Sequence, residues 1–104
     1  MKTKALIAEF IGTFALIFIG VGAIAADAMT QGRLGMVGVA LAHGLTIAVM
    51  VSATAAISGG HLNPAVTIGL WSAGKIDGRN TVGYVIAQSL GGVVAAYVLK
   101  WIVP

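Results

Sequence analysis

The sequence predicts an all-α membrane protein with three membrane-spanning helices and one short re-entrant half-helix. Its 104 residues are 59% hydrophobic and only 9% charged, whereas about 25% of the residues of soluble domains are charged. Three apolar segments are each long enough to cross the bilayer, which takes about 20 residues of helix. Between the second and the third lies a much shorter apolar segment that begins with an Asn-Pro pair.

The composition excludes several kinds of function. The chain has no cysteine, which excludes disulfides, thiolate metal sites and a cysteine nucleophile. Its net charge of +3 comes from scattered residues, so nucleic acid binding has no electrostatic basis. We find no nucleophile with a base, no phosphate-binding loop and no metal-ligand spacing around either histidine. We therefore expect no enzyme activity, no cofactor and no metal, and a lipid bilayer as the surroundings.

The first apolar segment, residues 5–26, is predicted to span the membrane. A basic start, an apolar stretch and small residues also resemble a cleavable signal peptide. The length of the segment and the carboxylate of Glu9 favour the spanning helix. Ala8, Gly12 and Gly20 lie near one helical face and predict close packing against a neighbouring helix.

The other two long segments, residues 34–57 and 81–103, carry small residues at every fourth position. Such stripes let helix backbones approach one another closely in lipid. The stripe of the second segment is Ala40, Gly44, Ala48, Ser52 and Ala56, and that of the third is Gly83, Ala87, Gly91 and Ala95. We predict that both stripes form tight helix contacts.

Residues 58–73 predict a glycine-rich loop followed by the half-helix. Gly59 and Gly60 permit an irregular backbone, Asn63 is a favourable N-cap, and Pro64 suits the first helical position. Roughly 10 helical residues reach about 15 Å, half of a ~30 Å hydrocarbon core. Irregular backbone at this depth persists only where it lines a cavity or is buried in protein, as in a pore or a transporter site.

The basic residues predict the orientation of the chain. If the N-terminus is cytoplasmic, more basic residues lie inside than outside: Lys2, Lys4, Lys75 and Arg79 against Arg33 and Lys100. Cytoplasmic loops carry the excess of basic residues, so we predict a cytoplasmic N-terminus. The half-helix then enters from the cytoplasmic side and points its N-terminus at the bilayer centre.

The segment from Ser58 to Thr67, Ser-Gly-Gly-His-Leu-Asn-Pro-Ala-Val-Thr, resembles the first pore-loop motif of the aquaporin, or major intrinsic protein, family. Residues 8–14 resemble the first helix of that family and residues 87–91 its third. The resemblance covers essentially the whole chain, but it corresponds to one of the two inverted repeats of the family. It implies an aquaporin-like half, to be completed by a second repeat from the same chain or from another copy.

The resemblance also implies a function. The chain would be half of a passive channel for water and/or small neutral solutes such as ammonia or glycerol. It would lie in the plasma (inner) membrane, and complete channels would form homotetramers. The alternative is a truncated or non-conducting module that packs helices against a partner or a second copy. An oppositely inserted pair of copies would also rebuild the inverted arrangement.

Pore and selectivity roles follow from the same resemblance. Asn63, with Pro64 and Ala65, would lie at the pore centre, where its amide donates to a permeating water and the helix dipole repels cations. The alternative is a helix cap with no permeation. His43 would occupy the helix-two position of the selectivity constriction and make it more polar, or it could be a hydrogen-bonded core histidine.

The remaining candidates would support the pore loop. Glu9 is expected to accept hydrogen bonds from backbone N–H groups or from His61, with help from Gln88, unless it only reaches the membrane surface. The ring of His61 is expected to bond backbone carbonyls. Gly59 and Gly60 would shape the loop. Whether Thr67 faces the pore stays open.

Overall fold

The computed structural model describes residues 3–104, so Lys2 lies outside the described residues. Four helices follow one another: α1 (Thr3–Met29), α2 (Gly35–Ser58), α3 (Pro64–Ser72) and α4 (Gly78–Ile102). Helices α1, α2 and α4 are long and apolar enough to cross a membrane, while α3 has 9 residues. The described residues form no strand. The predicted fold class is therefore confirmed.

Helix α1 lies at the centre of the bundle. It packs against α2 on one side and α4 on the other, and α3 packs against α4. Thr3 and Arg79, at the beginnings of α1 and α4, line one groove, so these two helices run in the same direction. Lys4 and Ile57 line a second groove, which shows that α2 runs antiparallel to α1.

Glycines set the closest approaches around α1. Gly91 of α4 lies directly against the backbone of Phe10 and Phe14 in α1, and Gly12 of α1 lies against the side chain of Leu62. Any Cβ at Gly12 or Gly91 would collide with those atoms. Ala87 and Ala95 are buried beside Gly91, so the stripe of α4 forms the tight contact that the sequence predicts.

The prediction for the stripe of α2 is wrong within this chain. All five of its small residues are exposed: Ala40, Gly44, Ala48, Ser52 and Ala56. Helix α2 instead turns another face to α1, on which Thr46, Thr54 and Ser58 are buried. The small residues of α2 are thus left on the surface of the described chain.

Helix ends differ from the predicted ones where polar residues cap them. Helix α4 begins at Gly78 rather than at residue 81, because the Asp77 carboxylate accepts a hydrogen bond from the Asn80 N–H (2.8 Å) and caps it. Helix α1 continues past residue 26 to Met29. Asp27 therefore lies inside the helix, and its carboxylate accepts a hydrogen bond from the Gly35 N–H at the start of α2 (2.9 Å).

Candidate pore-loop site

The loop between α2 and α3 reverses the chain with three residues in left-handed backbone conformations. Gly59 (φ 90°) and Gly60 (φ 65°) are followed by Leu62 (φ 56°), a conformation that is unfavourable for a residue with a side chain. Leu62 is 3% exposed and its side chain fills the space left by Gly12 of α1. Tertiary packing therefore holds the strained backbone in place.

Glu9 of α1 anchors this loop. Its carboxylate is fully buried and accepts hydrogen bonds from the Ser58 hydroxyl (2.6 Å) and from the backbone N–H groups of His61 (3.1 Å) and Leu62 (2.8 Å). The side-chain amide of Gln88 donates a fourth (2.7 Å). Each carboxylate oxygen thus accepts two hydrogen bonds, and a carboxylate can be buried only when its oxygens are hydrogen-bonded in this way.

Gln88 of α4 extends the network into the half-helix. Its amide nitrogen also donates to the hydroxyl of Thr67 (2.9 Å), and Thr67 is fully buried. The other end of the Gln88 amide, Oε1, has no hydrogen-bond partner among the described residues. A flipped amide would turn that oxygen toward the carboxylate of Glu9, where two acceptors would face each other, so the contact with Glu9 fixes the orientation of Gln88.

The ring of His61 lies inside this network. Its Nδ1 is 2.8 Å from the Thr67 hydroxyl, and the ring packs on that of Tyr84 with 4.9 Å between centroids. The expectation that this ring bonds backbone carbonyls is wrong for Nδ1, because Thr67 in the first turns of α3 presents a hydroxyl there instead. The Tyr84 hydroxyl donates to the Ser58 carbonyl (2.7 Å), so a carbonyl at the end of α2 that has no partner within the helix is hydrogen-bonded.

Asn63 caps the tip of the half-helix. Its side-chain oxygen accepts from the Ala65 N–H (2.8 Å), and Pro64 follows at the first helical position. Because the oxygen is engaged, the NH₂ group of the amide is the donor that an outside molecule would meet. Asn63 and Ala65 are exposed, and the positive end of the α3 dipole, about +0.5 charge, lies at this tip.

His43 lies on α2, away from the loop. Its Nδ1 contacts the Val39 carbonyl (2.8 Å), and because a carbonyl only accepts, that nitrogen carries a hydrogen. The half-buried ring packs against Gly20 of α1, where an added Cβ would lie 2.5 Å from Nε2. Gly20 is eight residues beyond Gly12, so His43 meets α1 about 12 Å farther along the helix axis than Leu62 does.

The structure brings together most of the residues singled out in the sequence. Glu9, His61 and Gln88 share one hydrogen-bonded cluster, with the two loop glycines beside it, whereas His43 is separate. Sequence reasoning did not identify Ser58 and Tyr84, although both are buried and bonded in the cluster. Within residues 3–104 no group of three His, Cys, Asp or Glu side chains could hold a metal ion.

Comparisons with known proteins match the whole chain. The family described as "Major intrinsic protein" matches residues 1–104. The chain is 48% identical to Aquaporin Z of Photorhabdus laumondii, with 92% of this chain and 42% of that protein covered. It is 50% identical to Aquaporin Z of Brucella melitensis over 88% of this chain and 41% of that protein.

A third relative gives the same result. The chain is 46% identical to Aquaporin AqpM of Methanothermobacter thermautotrophicus, with 92% of this chain and 46% of that protein covered. The chain thus spans somewhat less than half the length of these curated relatives. Its three apolar helices are those of an integral membrane protein, and with the match over its full length, the chain belongs to the major intrinsic protein (aquaporin) family.

Proposed function

We propose that the chain forms one half of a passive transmembrane channel for water and/or small neutral solutes, and that it carries out no covalent chemistry. The observation that carries this proposal is the exposed, amide-capped tip of α3. With 9 residues, α3 is about 14 Å long, too short to cross a ~30 Å hydrocarbon core. A solute at its tip meets the NH₂ group of Asn63 and a positive helix end.

This electrostatic arrangement suits a neutral solute that accepts a hydrogen bond. Water can accept from the Asn63 amide, whereas a cation is repelled by the positive end of the helix dipole. Pro64 removes an N–H from the first turn, and Ala65 adds only a methyl group, so the amide is the main polar feature of the tip. The cluster around Glu9 supports the proposal because it fixes the position of the loop that carries this amide.

His43 is proposed as a selectivity residue at a second level of the pore. Its contact with α1 is displaced from the loop by about 12 Å along the axis, away from the end where α1 begins. Its Nδ1–H is bonded to Val39, so Nε2, which lies beside Gly20 of α1, is the ring nitrogen left to bond a solute. A polar atom at a constriction favours solutes with N–H or O–H groups, including water, ammonia and glycerol.

We propose that a second, inverted repeat completes the pore. The exposed small-residue stripe of α2 and the exposed Val66, Ile68 and Trp71 of α3 would pack against it. Its source is the same chain, if that continues, or another copy. Sites between inverted repeats are a recurring plan among transporters, and complete channels would then form homotetramers.

For the location we propose the plasma (inner) membrane with a cytoplasmic N-terminus. Lys4 and Arg79 lie at the same end of the bundle, and Arg33 and Lys100 belong to the opposite end. Together with Lys75 before α4, the end where α1 begins carries more positive charge. The positive-inside rule orients this end toward the cytoplasm. Labelling of cysteines introduced at Lys75 and at Arg33 should detect one orientation, whereas both orientations would indicate oppositely inserted copies.

Osmotic permeability tests the proposed function directly. We expect proteoliposomes containing the assembled pore to shrink in stopped-flow mixing faster than empty vesicles do. The 104-residue chain and a chain extended by a second repeat should be compared at equal protein density. A permeability equal to that of empty vesicles for both would reject the channel and favour a non-conducting helix-packing module.

A further inference from the structure

A long groove between α1 and α4 has no part in the proposed pore. It has a volume of about 790 Å³ and begins where both helices begin. That size lies within the range of about 300–1,000 Å³ that is typical of small-molecule sites. Thr3 and Arg79 line it at this end, and the other side chains along it are apolar, among them Ile7, Phe10, Ile86 and Leu90.

The walls of this α1–α4 groove expose large apolar side chains. Ile7 is 53% exposed, Ile86 55% and Leu90 54%. These residues lie along helices that are apolar enough to span a membrane, so the groove is parallel to the lipid chains. An acyl chain lying in it would cover these side chains. Each buried methylene contributes about 0.8 kcal/mol to binding when the lipid comes from water, but little when it comes from the surrounding bilayer.

The specificity of the groove therefore has to come from its charged end. The Arg79 guanidinium is exposed there, and the start of α1 adds a positive helix end, whereas the start of α4 is capped by the Asp77 carboxylate. Lys4 lines the neighbouring α1–α2 groove, of about 350 Å³, at the same end of the bundle. Positive charge is thus concentrated where the groove meets the membrane surface.

The opposite end of the same helix pair provides a contrast. A groove of about 410 Å³ there lies between Phe18 and Leu99, and among its described lining residues none is basic. Helices α1 and α4 end at this side, so their dipoles contribute negative charge. The two grooves are similar in their apolar walls, and only the first is lined by a basic side chain.

We propose that the α1–α4 groove binds one anionic phospholipid, with an acyl chain along Ile86 and Leu90 and the phosphate on the guanidinium of Arg79. A guanidinium binds phosphate through two parallel hydrogen bonds. Basic sites between spanning helices are suited to anionic headgroups for this reason. The lipid is distinguished from a zwitterionic one by its net charge, which Arg79 and the start of α1 attract.

Native mass spectrometry of the purified chain in detergent tests the charged end. We expect phosphatidylglycerol to bind about fivefold more tightly than phosphatidylcholine with the same acyl chains, as one basic residue near the surface predicts. Arg79→Gln should remove most of this preference and Arg79→Lys should keep part of it. Lys100→Gln, which removes a cation at the other end of α4, should leave the preference unchanged. Circular dichroism checks that each variant keeps its helices.

A second pair of variants tests the apolar walls. Ile86→Trp should fill the groove and weaken binding of both lipids, whereas Val93→Trp, at an exposed site of α4 that does not line this groove, should not. An unchanged headgroup preference in Arg79→Gln would overturn the proposal. Equally tight binding of glycerol phosphate, which has no acyl chains, would also overturn it. If the chain associates with itself and Ile86→Trp abolishes that association, the groove would instead be assigned to a second copy of the chain.

Discussion

The side-chain amide of Gln88 in α4 donates a 2.7 Å hydrogen bond to the buried carboxylate of Glu9 in α1, across a sequence separation of 79 residues. The same carboxylate holds the backbone of the loop between α2 and α3 through His61 and Leu62. Helices α1 and α4 thereby fix the position of a loop that belongs to neither of them. This bond connects the packing of α1 and α4 with the placement of Asn63.

Replacing Glu9 should destabilise the fold. In Glu9→Ala the donors of Ser58, His61 and Leu62 lose a buried acceptor, which we expect to lower the free energy of unfolding by about 3 kcal/mol or more. Unfolding in mixed detergent micelles, followed by circular dichroism, measures the change. Ile11→Ala, at an exposed position of the same helix, serves as the control. Equal loss in both variants would contradict the anchoring role.

Asn63→Asp should separate helix capping from permeation. Aspartate keeps an acceptor for the Ala65 N–H and suits a helix N-terminus, so stability should be nearly unchanged. The NH₂ donor is lost, and if it contributes about 1.4 kcal/mol to the passage of a water molecule, osmotic permeability falls about tenfold. Stopped-flow shrinkage of vesicles with the assembled pore measures it. Wild-type permeability would mean that Asn63 acts only as a cap.

His43→Phe should narrow the solute range toward water. The substitution places a larger, apolar ring beside Gly20, which narrows the constriction, so we expect uptake of ammonia and glycerol to fall more than that of water. Ammonia and glycerol uptake by vesicles with the assembled pore measures the effect. Leu41→Phe, at an exposed position of α2, adds the same ring elsewhere and should leave selectivity unchanged. Unaltered ammonia and glycerol uptake in His43→Phe would reject His43 as a selectivity residue.

Two glycine substitutions should distinguish contacts within the chain from contacts with a second repeat. Gly91→Ala places a Cβ against the backbone of Phe10 and should destabilise the chain by about 1–3 kcal/mol through overpacking. A Cβ at Gly44 meets nothing within 4 Å and leucine favours the helix more than glycine does, so Gly44→Leu should not destabilise the 104-residue chain.

In the assembled pore the result for Gly44 should differ. If the second repeat packs on the stripe of α2, Gly44→Leu lowers both assembly and osmotic permeability. Size-exclusion chromatography in detergent and stopped-flow shrinkage measure these two quantities. Normal assembly of Gly44→Leu would argue against that stripe as the contact surface.

The sequence predicts much of the fold because its strongest signals are local. Asn63 and Pro64 mark the start of α3 through their own backbone preferences. A carboxylate within an apolar segment likewise identifies Glu9 as a residue that needs hydrogen-bond partners. Ser58 and Tyr84 give no such signal, since a serine and a tyrosine in spanning helices are compatible with many environments. Their role depends on contacts between distant segments.

The stripe of α2 shows a second limit. Small residues at every fourth position predict a helix contact but do not identify the partner. In the described residues α1 occupies the face of α2 that carries Thr46 and Thr54, so Gly44 is left exposed. A pattern on one helix predicts a contact surface, whereas the arrangement of the other helices determines which neighbour reaches it.

The anchoring of the loop between α2 and α3 by Glu9 has a consequence for biosynthesis. A ribosome completes α1, α2 and the loop before it adds Gln88, so Glu9 can bind Ser58, His61 and Leu62 while α4 is still unmade. Thr67 obtains its bond from Gln88 only after α4 has entered the bilayer. Insertion of α4 is therefore the step that completes the hydrogen bonds between α3 and the rest of the cluster.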